Sequence, residues 1–152
     1  MSGLKDVLKV EGEICIKVVD KKTNKVVKEV KEKNVVLSGF ASGVCGELAG
    51  EADTRLGVID TVYLYDSGDN LIKYLGETER TDLVHHTYTD HDDVYVKFED
   101  TSTDTYTVAR ADLETGYNGH SRLICRKTGL SVSKASDQKL IVEWTIKVYF
   151  GA

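Results

Sequence analysis

The dominant pattern along the chain is an alternation of apolar and polar positions with a period of two. It marks four segments: EICIKVVD (13–20), DDVYVKFED (92–100), DTYTVARAD (104–112) and KLIVEWTIKVYF (139–150). In the first of them, Ile14, Ile16 and Val18 share one face. Such alternation predicts strands with one face in a core. We expect the closing segment to bend midway or to switch between sheets, because it is longer than a typical strand.

Turn-forming residues separate these runs. Four stretches are rich in Gly, Asn, Asp and Ser: DKKTNK (20–25), DSGDN (66–70), DTSTD (100–104) and GYNG (116–119). Because these residue types favour tight turns, the runs between them are predicted to be separate strands. VYLYDSGDNLIKYL (62–75) in particular predicts a hairpin around a short glycine-containing loop.

One segment departs from the period of two. SGFASGVCGELAG (38–50) places Phe40, Val44 and Leu48 on one face of a helix, with Ser38 as its N-terminal cap and Gly50 as its C-terminal cap. We expect a short helix near residues 38 to 49. A glycine-rich loop is the alternative, since internal glycines lower helix propensity.

These elements predict an all-β chain with eight or nine strands and one short helix. A two-sheet antiparallel β-sandwich is the expected architecture, jelly-roll-like, with an immunoglobulin-type sandwich as the alternative. The length of 152 residues fits one domain, 1–152. Residues 1–30 are expected to form an added N-terminal hairpin.

Composition and charge limit the classes of partner that the chain is expected to bind. The net charge of −5 and the mixing of Lys and Arg with acidic residues argue against nucleic acid as a partner. No apolar run is long enough to span a membrane, and MSGLKDVLKVEGE lacks the apolar core of a secretory signal. We therefore expect neither a membrane partner nor export, and synthesis in a cytoplasm.

The richest cluster of candidate side chains is HHTYTDHDD (85–93). Consecutive histidines in a strand point to opposite faces, so His85 and His86 cannot both bind one ion without a bulge. We interpret the segment as a metal-free polar loop between a strand ending near Tyr88 and one beginning near Val94. A metal-dependent enzyme that uses His85, His86 or His91 remains an alternative.

Other candidate chemistry is sparse in the sequence. Cys15, Cys45 and Cys125 are far apart and lack zinc-site spacing, so we interpret them as small buried apolar residues, with one disulfide as an alternative. No motif for a catalytic triad follows a strand. Trp144 lies mid-strand on the most apolar face and is predicted to be core rather than part of a sugar-binding platform. We therefore expect no catalytic, cofactor-binding or metal-binding residues and no cofactor.

The order of several segments resembles small structural proteins of tailed phages and archaeal viruses. The residues that carry the resemblance are EKNVVLSGFASGVCGELAG, IDTVYLYDSGD, GETERTD and DQKLIVEWTIKVYF, over roughly residues 33 to 150. In those proteins an Asn-Val-Val strand leads into a Gly/Ala-rich short helix, and a Trp-containing strand closes the domain. The resemblance implies β-sandwich subunits repeated around a symmetry axis, in a capsid, vertex or turret, or tail assembly, without catalytic residues.

The expected function is therefore that of a virion structural protein and not of an enzyme. It would be made in the host cytoplasm and would assemble into a homo-oligomer and with other virion proteins. The chain has no proline to protect strand edges, which favours pairing with other chains. Ile141 and Tyr149, on the second face of the closing strand, are the predicted oligomer interface. A carbohydrate-binding sandwich with exposed aromatic side chains is the main alternative.

Overall fold

The computed structural model describes residues 8–51 and 55–150, which contain eleven strands and one helix. The elements are β1 (Leu8–Asp20), β2 (Val26–Val36), α1 (Ser38–Ala49), β3 (Val58–Tyr65), β4 (Leu71–Leu75), β5 (Arg80–Thr87), β6 (His91–Asp100), β7 (Tyr106–Val108), β8 (Arg110–Tyr117), β9 (His120–Lys127), β10 (Val132–Lys134) and β11 (Gln138–Phe150). The expected all-β class with one short helix is confirmed. The strand count exceeds the expected eight or nine.

Nine of the strands form one curled antiparallel sheet in the order β4-β3-β8-β9-β2-β1-β11-β6-β5. β2 joins its two halves: most of β2 pairs with β1, whereas only Val35 and Val36 pair with β9. The first half comprises β1, β2, β5, β6 and β11, and the second comprises β3, β4, β8 and β9. The sheet curls far enough that β4 lies near β6. β7 and β10 form a second, small sheet.

The core lies on the inner face of the curled sheet. The alternation in β1 places Ile14, Ile16 and Val18 there, each at most 1% exposed. Trp144 is also 1% exposed, and its indole N–H donates a hydrogen bond to Oδ1 of Asn34 at 2.8 Å. The prediction that Trp144 is a core residue is therefore confirmed.

The alternating segments 139–150 and 104–112 behave differently from each other. β11 is an unbroken strand that pairs with β1 along its whole length, so the expected switch between sheets does not occur there. The switch occurs instead in 104–112, where β7 pairs with β10 and β8 pairs with β3 and β9. Ala109 separates the two strands, and its backbone N–H donates to the carbonyl of Tyr65.

The predicted hairpins and turns are present. β3 and β4 form the hairpin expected over 62–75, and Oδ1 of Asp66 accepts hydrogen bonds from the backbone N–H groups of Gly68 and Asn70 in its turn. Asn118 and Gly119, both with positive φ, join β8 to β9. β1 and β2 form a hairpin that extends past the expected end at residue 30 to Val36 and occupies the middle of the sheet. Residues 1–7 of that prediction lie outside the described residues.

The helix forms over the predicted residues but turns only part of its predicted apolar face to the core. Gly50 ends α1 in the left-handed conformation as expected, whereas Leu37 is the N-cap and no side chain caps that end, so the expectation for Ser38 is wrong. The buried helix positions are Gly43 and Gly46. Phe40 packs against the core as expected, whereas Val44 is 36% exposed and Leu48 is 85% exposed, so the expected contact face is wrong for those two residues.

Close approach to β9 explains this orientation. A methyl group at Gly39 would overlap the backbone carbonyl oxygen of Leu123, and one at Gly43 would lie 2.6 Å from Cδ1 of Leu56. Glycines therefore let the helix rest almost directly on the sheet, with Phe40 packed against the core, and Val44 and Leu48 are left on the other side. Backbone proximity decides the orientation, rather than side-chain hydrophobicity.

One end of the core is closed by a buried ammonium group. Lys134 in β10 is 2% exposed, and its Nζ donates to the backbone carbonyls of Ser102, Asp104 and Ala135 at 2.7, 2.6 and 3.3 Å. Burial lowers the pKa of this lysine. Nearby, the Tyr106 hydroxyl donates to the buried Asp100 carboxylate at 2.5 Å. The loop after β6 is thus tied to the small sheet by polar contacts that are all internal.

The glycine contact of α1 predicts different outcomes for two similar substitutions. Gly39→Ala should lower the free energy of unfolding by about 1–3 kcal/mol, because the carbonyl of Leu123 is backbone and cannot move aside. Gly43→Ala should stay within about 1 kcal/mol of wild type, because its two closest contacts are side-chain atoms that can shift, its backbone contact with Cα of Leu56 is longer at 3.1 Å, and it gains helix propensity. Urea unfolding with Ser42→Ala as the exposed helical control checks both, and equal losses for the two glycine variants would contradict this packing.

The internal hydrogen bonds of Lys134 generate a second stability prediction. Lys134→Met should lower the free energy of unfolding by about 2–4 kcal/mol, because it removes a buried ammonium group that donates to backbone carbonyls of two loops. Lys139→Met is the control: its Nζ lies 3.5 Å from Glu99 Oε1, in a pair that is part exposed, and its loss should cost under about 1 kcal/mol. Similar losses for both variants would show that Lys134 contributes no more than a surface lysine.

Candidate functional site

The histidine- and aspartate-rich segment 85–93 forms the tip of the β5–β6 hairpin. The expectation of a polar loop up to Val94 is wrong, because β6 already begins at His91. The backbone N–H of Tyr88 donates to the carbonyl of His91 at 2.9 Å, which closes the turn. Cross-strand pairing of His86 with Asp93 extends the ladder into this polar stretch.

His85 and His86 lie on opposite faces of β5, as the strand geometry predicts. On the core face, His85 Nε2 lies 2.9 Å from Asp92 Oδ2. On the outer face, His86 Nδ1 lies 2.7 Å from Oδ1 of Asp93, which is 7% exposed. Among residues 8–51 and 55–150, no group of three or more His, Cys, Asp and Glu side chains is placed to hold a metal ion.

The outer face of the hairpin tip carries a row of ring side chains. Tyr88 stacks on His91 with 4.4 Å between ring centroids, and His91 lies 4.9 Å from the ring of Tyr149. His91 Nδ1 is also 2.7 Å from Asp90 Oδ1, and this contact lowers the pKa of the Asp90 carboxyl. Tyr88 is 50% exposed. The row therefore presents an aromatic surface to solvent with carboxylates beside it.

The core face of the hairpin tip borders a cleft of about 380 Å³ between the two halves of the sheet. Its walls are mostly apolar and come from six strands and the helix, with residues that include Phe40, Ile59, Leu83, Val94, Ile124 and Val148. His85 and Asp92 also line it, and both are substantially exposed. This end of the core is thus open, in contrast to the end that Lys134 closes.

The cysteines are free thiols in the structure. Burial raises the pKa of Cys15 to about 11 and that of Cys125 to about 12. Both side chains are therefore held in the thiol form, which is a poor nucleophile. Cys125 is a buried apolar residue as expected, whereas Cys45 is exposed on α1, so the prediction of burial is wrong for it.

Ile141 and Tyr149 lie on the outer face of β11, as the alternation predicts. Ile141 is 9% exposed within a single chain, which is what a second layer of the chain's own core would require. Tyr149 is half-buried beside His91. Their assignment to an oligomer interface stays a prediction.

A network of polar side chains occupies the middle of this outer face. Glu143 Oε1 pairs with Lys17 Nζ at 2.8 Å, and Glu143 Oε2 accepts a hydrogen bond from Tyr95 at 2.5 Å. Burial alone would raise the pKa of Glu143, but these two contacts outweigh it and the pKa is lowered. Burial and the contact with Glu143 raise the pKa of Tyr95. The carboxylate is therefore held in its charged form by its neighbours, as in a structural ion pair.

The sequence analysis missed two features of the surface: the cleft and the outward apolar side of α1. No local motif marks the cleft, because its walls come from strands that are distant in sequence. The outward side of α1 did have a signal. Glycines recur at 39, 43 and 46, and such spacing on one helix face permits close backbone packing.

Comparison with known proteins gives no relative from which a function could be inferred. No protein-family model matches the chain, and no curated protein matches it. The resemblance to viral structural proteins therefore stays a prediction. Within the described part of the chain, no helix has both the length and the apolar character of a membrane span.

Proposed function

We propose that this chain is a structural subunit of a phage or archaeal virus particle, with an assembly role and not a catalytic one. It would assemble with copies of itself and with other virion proteins after synthesis in the host cytoplasm. In this proposal the curled sheet serves as a jelly-roll-like sandwich whose halves pack face to face. The order of segments described above, over roughly residues 33 to 150, supports the viral assignment.

The observation that carries the assembly role is the outward apolar side of α1. Val44, Cys45 and Leu48 face solvent, and Leu48 is 85% exposed although it is one of the most apolar residue types. A helix that turns its glycines inward and its apolar side chains outward is suited to contact another chain. α1 also belongs to the segment EKNVVLSGFASGVCGELAG, which carries the first part of the resemblance.

Charged substitution on α1 tests this assembly surface. Wild-type protein should elute as a defined oligomer, and Leu48→Lys should shift it toward the monomer mass, because a charge at the centre of an apolar contact is costly to bury. Lysine keeps helix propensity, so α1 itself should remain folded. Size exclusion coupled to light scattering measures the mass, and circular dichroism confirms the fold.

Leu71→Lys is the matched control, since Leu71 is 52% exposed on β4, away from α1. It should leave the oligomer mass unchanged. A monomeric wild type at high concentration would contradict self-assembly through α1. The viral part has its own test: genes for a major capsid protein or packaging ATPase beside this gene support it, and a neighbourhood of metabolic genes counts against it.

A specific observation also favours a second candidate, carbohydrate binding at the hairpin tip. Sugars bind through stacking on aromatic rings and through hydrogen bonds to carboxylates. Tyr88 offers a half-exposed ring stacked on His91, with the carboxylate of Asp90 2.7 Å from the imidazole. Trp144 offers no such surface, because it is buried.

Glycan-array binding distinguishes this candidate from a purely structural role. If the hairpin tip binds sugar, wild-type protein should give reproducible signals for a related set of glycans. Tyr88→Ala should reduce them about five- to thirtyfold, because the loss of one stacking ring costs on the order of 1–2 kcal/mol. Tyr74→Ala, on the exposed ring of β4, is the control and should bind as wild type does. Equal signals from Tyr88→Ala and wild type would exclude the hairpin tip.

A further inference from the structure

We propose that the cleft between the two halves of the sheet binds an uncharged, mainly hydrocarbon molecule that carries one hydroxyl or carbonyl group. Two independent observations carry this proposal. One is the open apolar volume itself, and the other is a buried hydroxyl on its wall that has no partner within residues 8–51 and 55–150. The proposal does not depend on the virion role.

The size and lining of the cleft suit a small molecule. A volume of about 380 Å³ lies within the range of ligand sites, roughly 300–1,000 Å³. Val94 and Val148 line it from the first half of the sheet, and Ile59 and Ile124 line it from the second half. Apolar surfaces thus face each other across a gap that the chain's own side chains do not fill. A hydrocarbon group would remove both from water.

The hydroxyl of Thr115 gives this apolar site one polar feature. Thr115 lines the cleft from β8 and is 1% exposed, and its Oγ1 has no hydrogen-bond partner among the described residues. Buried polar atoms are almost always hydrogen-bonded. A hydroxyl or carbonyl group on a ligand would supply the missing partner, because a threonine hydroxyl can both donate and accept.

Water is a less suitable partner for this hydroxyl. An ordered buried water usually makes about three hydrogen bonds. The polar side chains at the cleft, apart from Thr115, belong to the hairpin: His85 and Asp92 bond to each other at 2.9 Å, and Asp93 pairs with His86 at 2.7 Å. A water beside Thr115 would therefore find few free side-chain partners, whereas a mainly apolar ligand needs only one.

The charges at the mouth exclude one ligand class. The Asp92 carboxylate lines the cleft, and the one basic side chain among the lining residues, that of His85, already pairs with it. A carboxylate ligand would meet this acidic group and would lose its hydration against apolar walls. The ligand class is therefore an alcohol or ketone, and not a fatty acid.

Fluorescence of N-phenylnaphthylamine, an uncharged apolar dye, tests the cleft directly. Its emission should rise on titration with the full chain and should saturate at one dye per chain. Octanol should displace the dye, whereas octanoate should displace it at least tenfold less well. A rise that does not saturate, or equal displacement by octanol and octanoate, would overturn the proposal.

Two tryptophan variants locate the dye. Leu83→Trp enlarges a cleft-lining side chain on the core face of β5, at a position that is 37% exposed, and it should abolish the saturable signal. Leu71→Trp places the same ring at a 52% exposed position outside the cleft and should bind dye as wild type does. Retention of binding by Leu83→Trp would place the dye elsewhere and overturn the proposal.

Thr115→Val tests the polar contact with a near-isosteric pair of ligands. Benzyl alcohol should bind about fivefold more weakly to the variant than to wild type, whereas ethylbenzene, which has a methyl group in place of the hydroxyl, should bind equally to both. The variant should be no less stable than wild type, since the lost hydroxyl makes no hydrogen bond to the described part of the chain. Equal affinities of wild type and variant for benzyl alcohol would show that Thr115 makes no contact with the ligand.

Discussion

The pairing of β1 with β11 is the interaction on which the rest of the structure depends. The two strands pair continuously from Leu8↔Phe150 to Asp20↔Gln138. β2 adds to β1 and β6 adds to β11, so the sheet grows outward from both sides of this pair. A slip of one residue would bring Lys17 to the core face and turn Ile16 outward. Alternation in two strands from opposite ends of the chain therefore sets the register of the whole sheet.

A curled sheet has two open ends, and in this chain one end is closed by other residues whereas the other stays open. At one end Lys134 and the small sheet close the core, and the buried ammonium group is satisfied by three backbone carbonyls. At the other end the halves diverge around the cleft, where the buried hydroxyl of Thr115 is left without a partner among the described residues. The closed end stabilises the fold by internal contacts. The open end leaves apolar walls exposed in the cleft and one buried hydroxyl available to a ligand.

Much of the fold could be predicted from local patterns because those patterns report local physics. Period-two alternation placed Ile14, Ile16 and Trp144 in the core, and turn chemistry placed the hairpin over 62–75. Non-local effects could not be predicted in this way. The orientation of α1 depends on the approach of Gly39 to Leu123, and β9 lies far from α1 in sequence. A hydrophobicity pattern scores the side chains that are present. It does not register that glycine, which has no side chain, allows the helix backbone to pack closely against the sheet.

Only part of the candidate site could be predicted from the sequence. HHTYTDHDD stood out by composition, and strand geometry correctly separated His85 from His86. Its partners could not be deduced, because Tyr149 reaches His91 only through the β11–β6 pairing. The cleft depends on even more distant strands. Such sites arise from sheet topology, and a single sequence gives topology only weakly.

The strand edges explain why α1 is the better candidate for assembly than edge pairing. The absence of proline suggested unprotected edges, but the structure protects them by other means. The free edge of β2 carries the exposed lysines Lys28, Lys31 and Lys33, and β4 is only five residues long. β5 is distorted by a bulge between Arg80 and Asp82. Charges, short length and bulges all oppose strand addition, whereas nothing comparable protects the apolar side of α1.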